Sequence, residues 1–158
     1  MTDIIITEQI SVVTFGNIPF ESESGFIHRL FKLAAQENIV IDMISKASVS
    51  TDRTSVGFTF SDNDMQGMLR VLGTLSFYRP PLVSCGNVKF TVKCEEMKCG
   101  TGFATAVFGA LSDAMITPIL VTTSDDEISV VVRACEMNTL SEELRKTFYK
   151  SSSGLNQY

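Results

Sequence analysis

Ser24-Gly25-Phe26-Ile27-His28-Arg29-Leu30-Phe31 and Thr101-Gly102-Phe103-Ala104-Thr105-Ala106-Val107-Phe108 superpose without a gap. Gly25 meets Gly102, Phe26 meets Phe103 and Phe31 meets Phe108 at one spacing of 77 residues, close to half of the 158-residue chain. Self-similarity at a fixed spacing is the mark of a repeated supersecondary unit. Carried forward, the same spacing sets Met43-Ile44-Ser45 opposite Leu120-Val121-Thr122. An alternating apolar–polar run precedes each copy, at residues 9–15 and 87–94. Alternation of that kind suits a strand with one buried face.

Within the first copy the period changes in a readable order. After the strand at 9–15, residues 16–24 hold Pro19 and several Ser and Glu, and read as loop. From Gly25 the apolar positions Phe26, Ile27, Leu30, Phe31, Leu33, Ala34 and Ala35 fall at helical spacing, with Ser22 or Ser24 as N-cap. Asn38 ends that helix, and residues 39–44 begin a β-rich run. A turn at 50–53 leads to a second alternating strand at 55–60, and Asp62 or Asn63 caps a helix carrying Met65, Met68, Leu69, Val71 and Leu72. Leu82-Val83-Ser84-Cys85 supplies a closing strand. The second copy predicts strand 87–94, loop 95–100, helix 101–114, strands 117–124 and 127–134, and helix 138–149. It lacks a closing strand of its own, and the spare triplet Ile4-Ile5-Ile6 is expected to complete it. The expected fold is α+β: two βαββαβ units of ferredoxin-like order, spanning 1–85 and 86–150, with a flexible tail at 151–158.

Composition narrows the functional class. At 44% hydrophobic and 20% charged, the chain carries enough apolar material for a core. A net charge of −5 without a basic face argues against nucleic-acid binding. No apolar run approaches the roughly 20 residues of a membrane helix, and the first residues lack the features of a signal peptide. Cys85, Cys94, Cys99 and Cys135 form no Cys-x-x-Cys pair, and the single His28 lies far from them. Reduced thiols in a cytoplasmic protein are the expectation, with no metal site and no cofactor. Asp125-Asp126-Glu127 falls in a turn between strands, and Gly100-Thr101-Gly102 is too short for a phosphate loop. His28 has no nucleophile beside it, so no catalytic constellation is legible.

Three segments carry a family likeness: residues 122–132 (Thr-Thr-Ser-Asp-Asp-Glu-Ile-Ser-Val-Val-Val), residues 39–44 (Ile-Val-Ile-Asp-Met-Ile) and residues 97–108 (Met-Lys-Cys-Gly-Thr-Gly-Phe-Ala-Thr-Ala-Val-Phe). In order and spacing the chain resembles the tandem ACT-domain regulatory region of aspartate kinases. The resemblance implies four antiparallel strands backed by two helices per unit, dimerisation through these units, and feedback binding of lysine, threonine or a related amino acid. It also implies a regulatory part rather than an enzyme, with an aspartate kinase catalytic subunit or domain as parent or partner. A structural or dimerisation subunit whose effector pocket has decayed is the alternative.

A helix N-terminus offers unpaired N–H groups and partial positive charge, so it attracts a carboxylate. The expected helix starts make Ser22, Glu23, Ser24, Gly25 and Phe26 candidates in the first copy, and Gly100, Thr101 and Gly102 in the second. Glu23 and its neighbours would accept from a ligand ammonium. The plainer reading is that the two glycines only permit a tight strand-to-helix entry. By the resemblance, further contacts fall at Ile41, Asp42 and Lys46 in the first unit, and at Thr117 and Thr122 in the second. Lys46 departs from the family's usual Gln and Thr117 from its Asn, with Pro118 adjacent. A cationic Lys46 opposes a lysine side chain and favours an anionic or neutral ligand.

Overall fold

Alternating and helical periods become six strands and four helices in the computed structural model, which describes residues 2–77, 79–94 and 100–149. In chain order these are β1 (Thr2–Pro19), α1 (Phe20–Gln36), β2 (Ile44–Ser48), β3 (Arg53–Ser61), α2 (Met65–Gly73), β4 (Leu82–Cys94), α3 (Phe103–Asp113), β5 (Leu120–Thr123), β6 (Glu127–Arg133) and α4 (Met137–Tyr149). The fold is α+β with antiparallel pairing. Contacts group residues 9–87 into one unit, and residues 2–8 with 88–149 into the other.

In the first unit the sheet order is β2-β3-β1-β4. Val13 pairs with Phe58 and Phe15 with Val56. Their side chains join Leu30 and Ala34 of α1 and Met68, Val71 and Leu72 of α2 in one buried core. Ile39 enters the same core, and a Cβ on Gly67 would lie 3.3 Å from its Cδ1. Glycine lets the α1–β2 connection approach α2 this closely. The Asp62 carboxylate accepts from Ser11 Oγ at 2.5 Å and from the Gly86 N–H at 3.0 Å, while the buried Asn87 donates to the Ile10 carbonyl at 3.1 Å. Asp62 therefore ties β1 and β4 together, and the N-cap role expected of it passes to Ser61, whose Oγ accepts from the Asn63 N–H.

In the second unit the order is β1-β4-β6-β5, with β1 supplying residues 2–8. Ile4 packs on a core of Val88, Phe90, Val92, Val107, Leu111, Val130, Val132, Leu140 and Leu144. Thr122 sits opposite Ser129 in the β5–β6 register, and Thr91 shares a buried 2.8 Å hydroxyl contact with Ser129. The Tyr149 hydroxyl donates to the Thr2 carbonyl at 3.2 Å, fastening the end of α4 to the first strand.

The duplication reaches the backbone. Gln9 and Gly86 take φ of +59° and +67°, and Asn38 and Met115 take +57° and +55°; both pairs are 77 residues apart. After α1 the Asn38 N–H reaches the Ala35 carbonyl and the Ile39 N–H the Ala34 carbonyl. After α3 the Met115 N–H reaches Ser112 and the Ile116 N–H reaches Leu111, the same pair of bonds shifted by 77. Each is a Schellman closure, which satisfies helix-end carbonyls through one left-handed residue.

Several expectations are corrected. The runs at 4–6 and 9–15 are parts of one strand, β1, as are 82–85 and 87–94 of β4. Residues 16–24 are not loop: β1 continues to Pro19 and α1 starts at Phe20. Proline at φ −64° and ψ 135° ends an extended run and opens a helix, and Glu21 and Glu23 in the first turn complement its dipole. β2 starts only at Ile44, although the Asp42 N–H already reaches the Thr59 carbonyl. β5 is confined to Leu120–Thr123. Cys85 and Cys135 are free but exposed, and Cys94 is disulfide-bonded, against the expectation of reduced thiols throughout. The loop expected at 95–100, save Gly100, and the tail at 151–158 lie outside the described residues.

Candidate functional site

The junction of β1 and α1 in the first unit is shaped by a register shift. Between Phe15 and Ile18 strand β1 carries an extra residue relative to β3, with Asn17 in the left-handed region at φ +57°. Such a bulge bends a strand and re-aims its neighbours. Arg53 Nη1 donates to the Asn17 carbonyl at 3.3 Å and holds the bend. Pro19 follows at the N-cap without a side-chain acceptor for the first-turn N–H groups, and Ser22 Oγ donates back to the Pro19 carbonyl at 3.3 Å. Neither Ser22 nor Ser24 caps α1, because the helix begins before both.

Against this junction lies a cavity of about 240 Å³, walled by Phe15, Ile18, Phe26 and Phe77, with Asn17, Ser22, Ser76 and Arg79 as its polar lining. Phe15 meets Phe26 edge-on at 5.0 Å and Phe77 at 6.0 Å. A shallower depression of about 510 Å³ adjoins it, sharing Ser22, Phe26 and Ser76 and adding Glu21, Ser24, Gly25, Arg29 and Leu75. The structure thus gathers Ser22, Ser24, Gly25 and Phe26, while Ser76, Phe77 and Arg79 are lining residues that sequence reading missed. They follow α2 in a stretch without periodicity or a motif, so nothing local marked them.

Glu23 points elsewhere. It is buried and paired with Lys46 of β2, Nζ to Oε1 2.6 Å, with side-chain exposures of 10% and 51%. Its carboxylate is therefore not free to receive an ammonium. Lys46 is equally committed, which weakens the repulsion expected against a cationic ligand. Gly25 lies five residues inside α1 rather than at its start, and a Cβ there would meet nothing within 4 Å. Ile41 packs on the core, and Asp42 is exposed beside β3.

In the second unit Gly100, Thr101 and Gly102 form a single 3-10 turn leading into α3. Gly100 has φ +59°, and Gly102 occupies the N-cap of α3 without a side-chain cap, as a glycine at a helix start was expected to. Thr117 is exposed ahead of β5, and Thr122 is half-buried within it. Among the described residues, no cluster of His, Cys, Asp and Glu could hold a metal. No described helix is long and apolar enough to cross a membrane.

No family model matches the chain. It is 25% identical over 151 residues to an aspartokinase of Bacillus sp. (strain MGA3), and 28% identical over 145 residues to an aspartokinase of Geobacillus stearothermophilus. These alignments cover 94% and 92% of this chain but 36% and 35% of the relatives, so the chain spans about a third of their length. The ligand-free regulatory subunit of aspartate kinase from Thermus thermophilus superposes with a TM-score of 0.81 at 17% identity, over 92% of this chain and 96% of that one. The chain resembles the regulatory region of aspartate kinases, and its fold is the ACT fold of that subunit.

Proposed function

We propose that this chain is an amino-acid-sensing regulatory module of the aspartate kinase type, which binds lysine, threonine or a related amino acid at the β1–α1 junction of its first unit. The observation that carries this reading is the cavity of about 240 Å³ beside an uncapped helix start. It exceeds the roughly 150 Å³ that admits benzene in an engineered apolar cavity, so a free amino acid fits. First-turn N–H groups and Arg79 suit its carboxylate, and Glu21 at the adjoining depression suits its ammonium. The likeness to a regulatory subunit supports the same reading.

On this reading the chain is not itself an enzyme, and an aspartate kinase catalytic subunit or domain is what it regulates, in the cytoplasm. It acts as a homodimer. Strand β2 lies at an edge of its sheet, and Val40, Ile44 and Val49 are exposed along and beside it, an apolar edge that calls for a partner. Effector and partner then bias one two-state assembly, so each changes the affinity for the other by the same factor.

A thermal-shift panel of the twenty amino acids, confirmed by titration calorimetry, tests the proposal. A ligand at about 100 times its dissociation constant adds about 2.7 kcal/mol to stability. A selective shift of several degrees is the expected result. A folded protein that responds to none of the twenty would leave a structural dimerisation subunit in its place.

A further inference from the structure

We infer that the cavity at the β1–α1 junction selects an amino acid with an apolar side chain of about leucine or phenylalanine size, and that Phe77 and Arg79 set that selection. The inference rests on the amino-acid-sensing reading and narrows its ligand to a related apolar amino acid in place of lysine or threonine, naming the residues that choose it.

Phe15, Phe26 and Phe77 converge on the space, Phe15 lying 5.0 Å from Phe26 and 6.0 Å from Phe77 by ring centroids. Phe15 is held by the core, whereas Phe77 is 37% exposed and belongs to the segment between α2 and β4. A large aromatic left that open on a folded surface is apolar area still to be covered. Arg79 lines the same space, and among the described residues its guanidinium meets no carboxylate. An unpaired guanidinium beside an apolar wall is complementary to a carboxylate carried on an apolar stem. Among the described residues, no acidic side chain lines the inner cavity. A lysine ammonium placed among the three aromatic rings would therefore be desolvated without a counter-charge, and an aspartate side chain would bring a second carboxylate into an apolar space. Threonine would bury a hydroxyl there for little apolar gain.

Titration calorimetry on the full chain, with leucine, isoleucine, phenylalanine, lysine, threonine and aspartate as separate probes, tests this. Leucine, isoleucine or phenylalanine should bind most tightly. Arg79→Gln should weaken that binding roughly 10- to 100-fold, as expected for a lost charged hydrogen bond. Phe77→Ala should narrow the preference over threonine. Arg79 is exposed and, among the described residues, meets no carboxylate, so the Gln variant keeps the fold, and a thermal melt verifies this. Arg145→Gln, exposed on α4 of the second unit, should leave affinity unchanged. Tightest binding of lysine, threonine or aspartate, or undiminished affinity in Arg79→Gln, overturns the inference while amino-acid sensing stands. Binding of none of the six probes or of any other amino acid overturns both.

Discussion

Glu23 and Lys46 form an ion pair at 2.6 Å between the first turns of α1 and the middle of β2, with the carboxylate buried and the ammonium half in water. The pair fixes how the helix start sits on the sheet and removes both charges from the neighbouring cavity. Removing the cation strands a buried carboxylate, which costs more than the pair contributes. Lys46→Met should destabilise the protein by about 1–2 kcal/mol. Glu23→Gln should cost less, because an amide tolerates burial better than an unpaired charge. Urea denaturation of both single variants and the double variant measures the coupling, and equal costs for the two would contradict the asymmetry.

Met115 holds the left-handed position that closes α3, the place Asn38 holds after α1, and it is 92% exposed. A left-handed residue with a Cβ costs roughly 1–2 kcal/mol, and glycine returns part of that through its more flexible unfolded chain. Met115→Gly should therefore stabilise the protein by about 0.5–1 kcal/mol. Asn38→Gly should gain less, since asparagine already tolerates the conformation. Chemical denaturation with an unchanged slope decides it.

Gly25 lies inside α1, exposed, with open space where a side chain would project. Neither φ nor packing requires glycine there. Gly25→Ala should raise stability by about 0.5–1 kcal/mol through helix propensity alone. Paired with calorimetry, the variant separates two roles: unchanged effector affinity would make this glycine a neutral feature of the helix.

Acid unfolding should carry the signature of two partly exposed carboxylates. The hydrogen bond from Arg70, at 2.7 Å, holds the Glu37 carboxyl below its ordinary range, and the Ser124 hydroxyl does the same for Asp126, aided by Lys93. A carboxylate with a depressed folded pKa contributes stability above its unfolded value and loses it as pH falls through the folded one. Glu37→Gln and Asp126→Asn should thus lower the melting temperature at neutral pH, with the difference from wild type vanishing toward pH 2. High salt should shrink both effects, because these are surface contacts. A difference that persists at low pH would point to packing instead.

The amino-acid order by itself determined the duplication, the α+β class and the helices that face each core. Those follow from local periodicity: Phe26, Leu30 and Ala34 recur at helical spacing, and residues 127–133 are dense in β-branched side chains. In the structure the same spacing of 77 recurs in the left-handed residues Asn38 and Met115, which close equivalent helices. Only the tertiary structure decided where α1 begins. Residues 16–24 look polar and broken, yet Glu23 is drawn inward by Lys46, a residue 23 positions away, and Pro19 serves as the entry to a helix rather than a break in a loop. Tertiary structure alone also brought Phe77 and Arg79 beside Phe15 and Ser22. Periodicity reports which face of an element is buried. It carries no record of which distant loop will lean over the end of a strand, since that choice is made by packing and charge pairing across the fold.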